Sequence, residues 1–153
     1  MADFNEYQIL EYAIAREEHA YNFYKALSEH MATDELKEMF EELASEELEH
    51  KAQLELEMIK LGHTVEIDKQ HEKFDITEFG LKEGQNLQMD IEDALQIAIE
   101  KEELAFRFYV EHEGKMTNQD SKEVLLALAE QETKHKIRFE NALENIRKNR
   151  HTK

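Results

Sequence analysis

The sequence predicts an all-α protein, a four-helix bundle made of two antiparallel helical hairpins joined by a long crossover. Three observations carry that expectation. The chain has no Pro and only four Gly in 153 residues, so the punctuation that sheets and tight turns need is missing. Apolar residues recur at spacings of three and four, the period of an amphipathic helix. Shifting the sequence by 85 residues superposes one half of the chain on the other without a gap.

The first helix is expected from about Phe4 to Met31, with Leu10, Ala13, Ile14, Ala20, Tyr24 and Leu27 on one face. The second begins near Thr33-Asp34-Glu35, a plausible cap followed by acidic residues that suit the positive end of a helix, and stops at Gly62. Its inward stripe reads Leu36, Phe40, Leu43, Glu47, His50, Leu54, Met58 and Leu61. The third starts around Asp90 and Asp93 and ends at Gly114. The fourth starts near Asn118 to Ser121 and runs to about Lys148, with Leu125, Leu128, Glu132, His135, Phe139, Leu143 and Ile146 inward. Its basic end, Arg147, Lys148 and Arg150, suits the negative end of a helix or simply a solvated tail.

Short connections force the pairs into hairpins, residues 4–62 and 90–148, within a single domain. Residues 63–89, which contain Gly80 and Gly84, form the crossover, with a short helical turn expected around Thr77 to Lys82. Two hairpins joined by one long connection have the ferritin-like topology.

Composition narrows the function. With 19 Lys+Arg against 36 Asp+Glu the formal charge is −17, which argues against nucleic acid or an anionic membrane as partner. Charged residues reach 36%, yet 41% apolar residues are enough for a core. Without Cys there is no disulfide, thiolate metal site or iron–sulfur cluster, so any metal must sit on His and carboxylate. No stretch approaches the ~18 apolar residues that span a bilayer, and the N-terminus shows no targeting signal, so a cytoplasmic protein is expected.

The repeat also duplicates polar residues on the buried stripes. Ala13, Ile14, Glu17, Glu18, Ala20, Phe23 and Tyr24 fall on Ala98, Ile99, Glu102, Glu103, Ala105, Phe108 and Tyr109, and Leu43, Ala44, Glu47, His50 and Lys51 on Leu128, Ala129, Glu132, His135 and Lys136. The first Glu precedes the second by 30 residues in both halves. Positions i and i+3 share a helix face, so Glu47 with His50, and Glu132 with His135, each aim a carboxylate and an imidazole at one point. Glu17 and Glu102 from the partner helices complete four Glu and two His, the arrangement by which helix bundles hold two metal ions.

Burying unpaired carboxylates costs several kcal/mol, so a core that holds four needs something to neutralise them, and two divalent ions do. An oxygen and imidazole donor set suits iron or manganese, and zinc could occupy it without redox chemistry. Glu18, Glu46, Glu49 and Glu103 lie about a third of a turn or more off the ligand direction and are expected at the surface. The remaining histidines, His19, His30, His63, His71, His112 and His151, lack a Glu three residues earlier and are expected to be exposed or capping. Tyr24 and Tyr109 lie two helical turns beyond Glu17 and Glu102. They are either core filling or hydrogen-bond partners that orient a ligand carboxylate, and the duplication favours the second role.

The pattern Glu-x-x-Ala-x-x-x-Tyr at Glu17 to Tyr24 and at Glu102 to Tyr109, each followed by Glu-x-x-His, resembles the rubrerythrin branch of the ferritin-like di-iron proteins over nearly the whole chain. The resemblance implies two iron ions bridged by Glu47 and Glu132, with Glu17 and Glu102 as terminal carboxylates and His50 and His135 each capping one ion. It implies a non-haem di-iron oxidoreductase acting on hydrogen peroxide or oxygen, a homodimer or larger homo-oligomer, and an external electron donor such as a rubredoxin-like protein or a flavin reductase.

The chain departs from the family by lacking the cysteine-bearing rubredoxin domain and by placing Ala105 where an extra ligand Glu is common. Its six-ligand set is closer to the symmetric site of bacterioferritin. Leu48 stands where bacterioferritin has its haem-ligating Met, and no haem is expected. Two other functions compete with the oxidoreductase: ferroxidase activity feeding iron storage or buffering, and a helical interaction module whose polar core only sets register.

Overall fold

The computed structural model describes residues 5–65 and 91–151, and within them the chain forms four α-helices: α1 Glu6–Glu29, α2 Asp34–Lys60, α3 Ile91–Glu113 and α4 Gln119–His151. The helix termini follow local chemistry. Asn5 caps α1 through a reciprocal pair, its side chain accepting from the Gln8 backbone while the Gln8 side chain accepts from the Asn5 backbone. Thr33 caps α2 by accepting from the Leu36 N–H at 3.3 Å, and Asn118 caps α4 by accepting from the Ser121 N–H at 3.0 Å.

Gly62 ends α2 at φ +87°, a left-handed conformation that suits a residue without Cβ. His63 N–H reaches back to the Met58 carbonyl and Gly62 N–H to the Ile59 carbonyl, so the last carbonyls of the helix are satisfied. The fourth helix continues past the expected stop at Lys148 to His151, and Arg150 in this extra turn lies 3.2 Å from Glu92 of α3. Most of the crossover, with its expected turn around Thr77 to Lys82 and His71, lies outside the described residues.

Helix α1 packs along α2, and α3 along α4. Two apolar clusters fill the bundle, one on each side of a polar layer. One gathers Phe23, Tyr24, Phe40, Leu95 and Phe139, with Tyr24 and Phe139 rings 5.3 Å apart and Phe40 and Phe139 rings stacked at 5.6 Å. The other gathers Leu10, Leu54, Phe108, Tyr109 and Leu125. The repeat exchanges them: Phe23 and Tyr24 of the first correspond to Phe108 and Tyr109 of the second, and Leu54 of the second corresponds to Phe139 of the first.

The hairpins are also tied at one end. The Glu6 carboxylate accepts from the Thr117 N–H and hydroxyl and from the Asn118 N–H, and the Thr117 hydrogen bonds hold its carboxyl below the usual range. Among the described residues, no helix is long and apolar enough to cross a membrane.

Candidate metal centre

Between the two apolar clusters lie the six residues singled out by the repeat. Glu17 comes from α1, Glu47 and His50 from α2, Glu102 from α3, and Glu132 and His135 from α4, and all six are buried. Their donor atoms form two overlapping groups in which every atom lies within 4.8 Å of the others. One is Glu17, Glu47, His50 and Glu132; the second is Glu47, Glu102, Glu132 and His135. Glu47 and Glu132 belong to both.

The imidazole rings of His50 and His135 face each other 5.6 Å apart and 11° from parallel, with Nδ1 of each turned into the cluster. His50 Nδ1 lies 3.0 Å from Glu132, 3.4 Å from Glu47 and 3.5 Å from Glu17. His135 Nδ1 lies 3.0 Å from Glu47 and 3.7 Å from Glu102. The nearest carboxylate to each histidine therefore comes from the other hairpin, and the centre exists only once the hairpins dock.

The residues fit a metal ion for a specific reason. One atom from each of the six, Glu17 Oε2, Glu47 Oε1, His50 Nδ1, Glu102 Oε2, Glu132 Oε1 and His135 Nδ1, is buried and, although close to the others, makes no well-aligned hydrogen bond. Each such atom costs about 1–3 kcal/mol when left unsatisfied. Six of them converge on one small volume, and divalent cations would satisfy all six.

Protonation follows the same crowding. Burial, reinforced by the Glu17 carboxylate, pushes Glu47 and Glu132 well above the usual carboxylate range. Burial also opposes the charged form of Glu102, but contacts with Glu132, His135 and Tyr24 outweigh it and hold that carboxyl low. At His50 burial works against the imidazolium, yet Glu132 and Glu17 raise its pKa to about 10. Without a metal, the cluster thus keeps protons that an ion would displace.

Tyr24 donates its hydroxyl hydrogen to Glu102 Oε1, and Tyr109 donates to Glu17 Oε1. Each phenol reaches across to the other hairpin. Burial and the adjoining carboxylates raise both phenols well above their ordinary pKa, so they remain donors.

Two side chains, Glu46 and His112, depart from the sequence expectation, while Glu57 was not singled out by it and His19 is exposed as expected. Glu46, expected at the surface, places Oε2 2.8 Å from His135 Nε2, which directs the ring's Nδ1 inward. The repeat puts Gln131 at the equivalent position, and it makes no such contact with His50. His112 is buried rather than exposed, its Nδ1 2.9 Å from the Phe108 carbonyl, because its ring fills the space beside Phe108. Glu57 is buried as well, accepting from the Ser121 hydroxyl at 3.2 Å and pairing with Lys60 at 3.1 Å. Its place two helical turns after His50 was the signal for it. His19, expected only as an exposed or capping residue, is exposed but lines a cavity.

That cavity, about 330 Å³, lies between α1 and α3 and reaches from Tyr12 and His19 at the surface to the four glutamates. Ala20 and Ala105, equivalent in the repeat, line it and leave room beside the carboxylates. Lys101 also lines it. Burial first, and Arg16 second, lower the pKa of its ammonium to about 8.

Comparison with known proteins agrees with this geometry. The rubrerythrin family model matches residues 8–150. A solved structure of a hypothetical protein from Pyrococcus furiosus is similar to this chain, with 29% sequence identity and a TM-score of 0.79, covering 95% of this chain and 92% of that one. No curated protein matches.

Proposed function

The chain belongs to the rubrerythrin family, and from that premise we propose that it is a non-haem di-iron oxidoreductase that reduces hydrogen peroxide or oxygen. The observation that carries the proposal is the pair of overlapping four-residue groups that share Glu47 and Glu132. Two ferrous ions, when bound, supply the two electrons that reduce hydrogen peroxide to water.

The remaining work belongs to the protein. Glu47 and Glu132 would serve both positions, Glu17 and His50 would complete one, and Glu102 and His135 the other. Tyr24 and Tyr109 hold the terminal carboxylates of Glu102 and Glu17 in place by hydrogen bonds from the opposite hairpin. The two apolar clusters keep bulk water from the layer between them. The gap lined by Ala20 and Ala105 leaves a face of the cluster open to a small molecule. Re-reduction falls to an electron donor outside this four-helix unit, whose residues include no Cys to hold a rubredoxin-type iron.

One observation favours a second reading. A net charge of −17 draws ferrous ions toward the protein, as an iron-handling ferroxidase would require. The two are separated by loading metal-free protein anaerobically with ferrous iron and following oxidation by peroxide and by oxygen. Oxidoreductase function predicts saturation at two irons per chain and a faster reaction with peroxide. Uptake of many irons per chain, with oxygen as the effective oxidant, would overturn it in favour of iron handling.

A further inference from the structure

The cavity between α1 and α3 is larger than hydrogen peroxide or oxygen needs. Hydrogen peroxide is little bigger than water, whose share of liquid volume is about 30 Å³. The cavity holds about 330 Å³. That volume falls at the lower end of the range in which proteins enclose organic ligands, roughly 300–1,000 Å³. Its lining is divided, with Glu17, Glu47, Glu102 and Glu132 at the inner end and walls whose surface is largely apolar.

The outer wall comes from residues that supply no ligand. Tyr12 and Ala15 share a face of α1, and Leu104 lies on α3. Tyr12 is 46% exposed and Leu104 56% exposed, so two large apolar side chains meet solvent at the opening. Tyr12 is backed by Phe108, with ring centres 4.8 Å apart. In the repeat, Tyr12, Ala15 and Leu104 correspond to Ile97, Glu100 and His19, so this wall is not a by-product of duplicating the ligands.

Basic groups at the same opening are engaged with neighbours. The Arg16 guanidinium lies 5.8 Å from the Phe108 ring centre and donates to the Lys101 carbonyl at 3.4 Å. The Lys101 ammonium lies 5.2 Å from the Phe23 ring centre and 2.9 Å from His19 Nε2. What an entering molecule meets is the Tyr12 ring, the Leu104 side chain and the methyl groups of Ala15, Ala20 and Ala105.

We propose that this cavity admits organic hydroperoxides, ROOH, whose compact apolar group R lies against Tyr12, Ala15 and Leu104 while the O–O end reaches the carboxylates. For its chemistry this use of the cavity rests on the oxidoreductase reading, and for its fit on the cavity alone. Two ferrous ions give one electron each, two protons come from water, the O–O bond breaks, and ROOH leaves as ROH and water. Burial of R supplies binding that hydrogen peroxide cannot obtain from the same walls.

Binding is tested apart from turnover. The full chain, loaded with zinc, is titrated with 2-phenyl-2-propanol, the alcohol that cumene hydroperoxide leaves behind, and amide chemical shifts report binding. Expected is saturable binding with shifts centred on residues 12–20 and 101–108, the segments that line the cavity. Leu104→Ser should weaken it about fivefold, the scale of losing part of a leucine's burial, and Leu104→Met should retain it. Non-saturating shifts, or an affinity unchanged in Leu104→Ser, would overturn the apolar wall.

Turnover is then read anaerobically on ferrous-loaded protein mixed separately with cumene hydroperoxide and hydrogen peroxide. Expected is oxidation by both, with 2-phenyl-2-propanol as the organic product. Acetophenone as the main product would mark one-electron cleavage to an alkoxyl radical and overturn the two-electron step. Oxidation by hydrogen peroxide or oxygen but not by cumene hydroperoxide would overturn the wider substrate class and leave the oxidoreductase reading standing. Failure of all three oxidants would overturn both.

Discussion

The two hairpins are near copies where they supply ligands and diverge where they surround them. Glu17, Glu47 and His50 recur as Glu102, Glu132 and His135. Around them, Glu46 supports His135 while Gln131 leaves His50 without the equivalent contact, and His19 has Leu104 as its counterpart. The aromatic stack of Tyr24, Phe40 and Phe139 on one side of the polar layer has Tyr109, Leu125 and Leu54 as its image on the other. Six donors that would share two ions must agree with one another in length and charge, whereas a supporting contact or a packing residue answers only to its own neighbours. The comparison teaches that a centre symmetric in its ligands is asymmetric in its support.

The strongest way to break the comparison is to remove what the halves share. Glu47→Ala combined with Glu132→Ala should abolish binding of both ions, whereas Glu17→Ala or Glu102→Ala should each lose about one, as read by elemental analysis. The same double variant, stripped of metal, should melt above the metal-free parent, because a buried charge cluster has been removed. Retention of two ions by the double variant would contradict the shared-ligand arrangement.

Next in size is the dependence on pH. The folded pKa values of Glu47, Glu132 and His50 are raised, so their contribution to stability is greatest at low pH and fades as pH rises toward those values. The melting temperature of the chelator-treated protein should therefore fall between about pH 5.5 and 8. Metal-loaded protein should show the opposite slope, since ions compete with protons for the same atoms. Parallel melting curves with and without metal would show that the cluster is not linked to binding.

A smaller effect sharpens the inequality of the two positions. Glu46→Gln should weaken the His135 position by roughly tenfold, the usual consequence of losing a carboxylate behind a ligating imidazole, and Gln131→Glu should strengthen the His50 position. Cobalt titrations followed by visible absorption would show the two steps drawing together in the first variant and in the second. Smallest is the loss of a phenol. Tyr24→Phe and Tyr109→Phe should each destabilise the protein by about 1 kcal/mol, measured by denaturant unfolding, and by similar amounts because each removes one hydrogen bond to one carboxylate.

Much of this was legible in the chain because two periodicities coincide. The helical period placed Glu47 beside His50 and Glu132 beside His135, and the 85-residue repeat set those pairs apart from the many exposed glutamates. Caps were legible at Thr33 and Gly62, where side-chain chemistry acts within one turn, but the Asn5 and Gln8 pair that starts α1 was not anticipated. Glu46, Glu57 and His112 escaped for separate reasons. Glu46 lies off the ligand direction of its own helix and, among the described residues, is reached only by His135 of the other hairpin, Glu57 lies on the inward face but has no repeat equivalent to single it out, and His112 is held against Phe108 of its own helix without a neighbouring motif to mark it.

The sequence by itself therefore determined the helices, their pairing into two equivalent hairpins and the six donors, since spacing along a helix is a local quantity. The docking of one hairpin on the other decided the rest: which carboxylate approaches which imidazole, which phenol reaches which glutamate, and the meeting of Arg16 with Lys101 over one opening. Those relations depend on the rotation and offset between packed helices, set by the summed fit of the side chains at the interface rather than by any short stretch of chain.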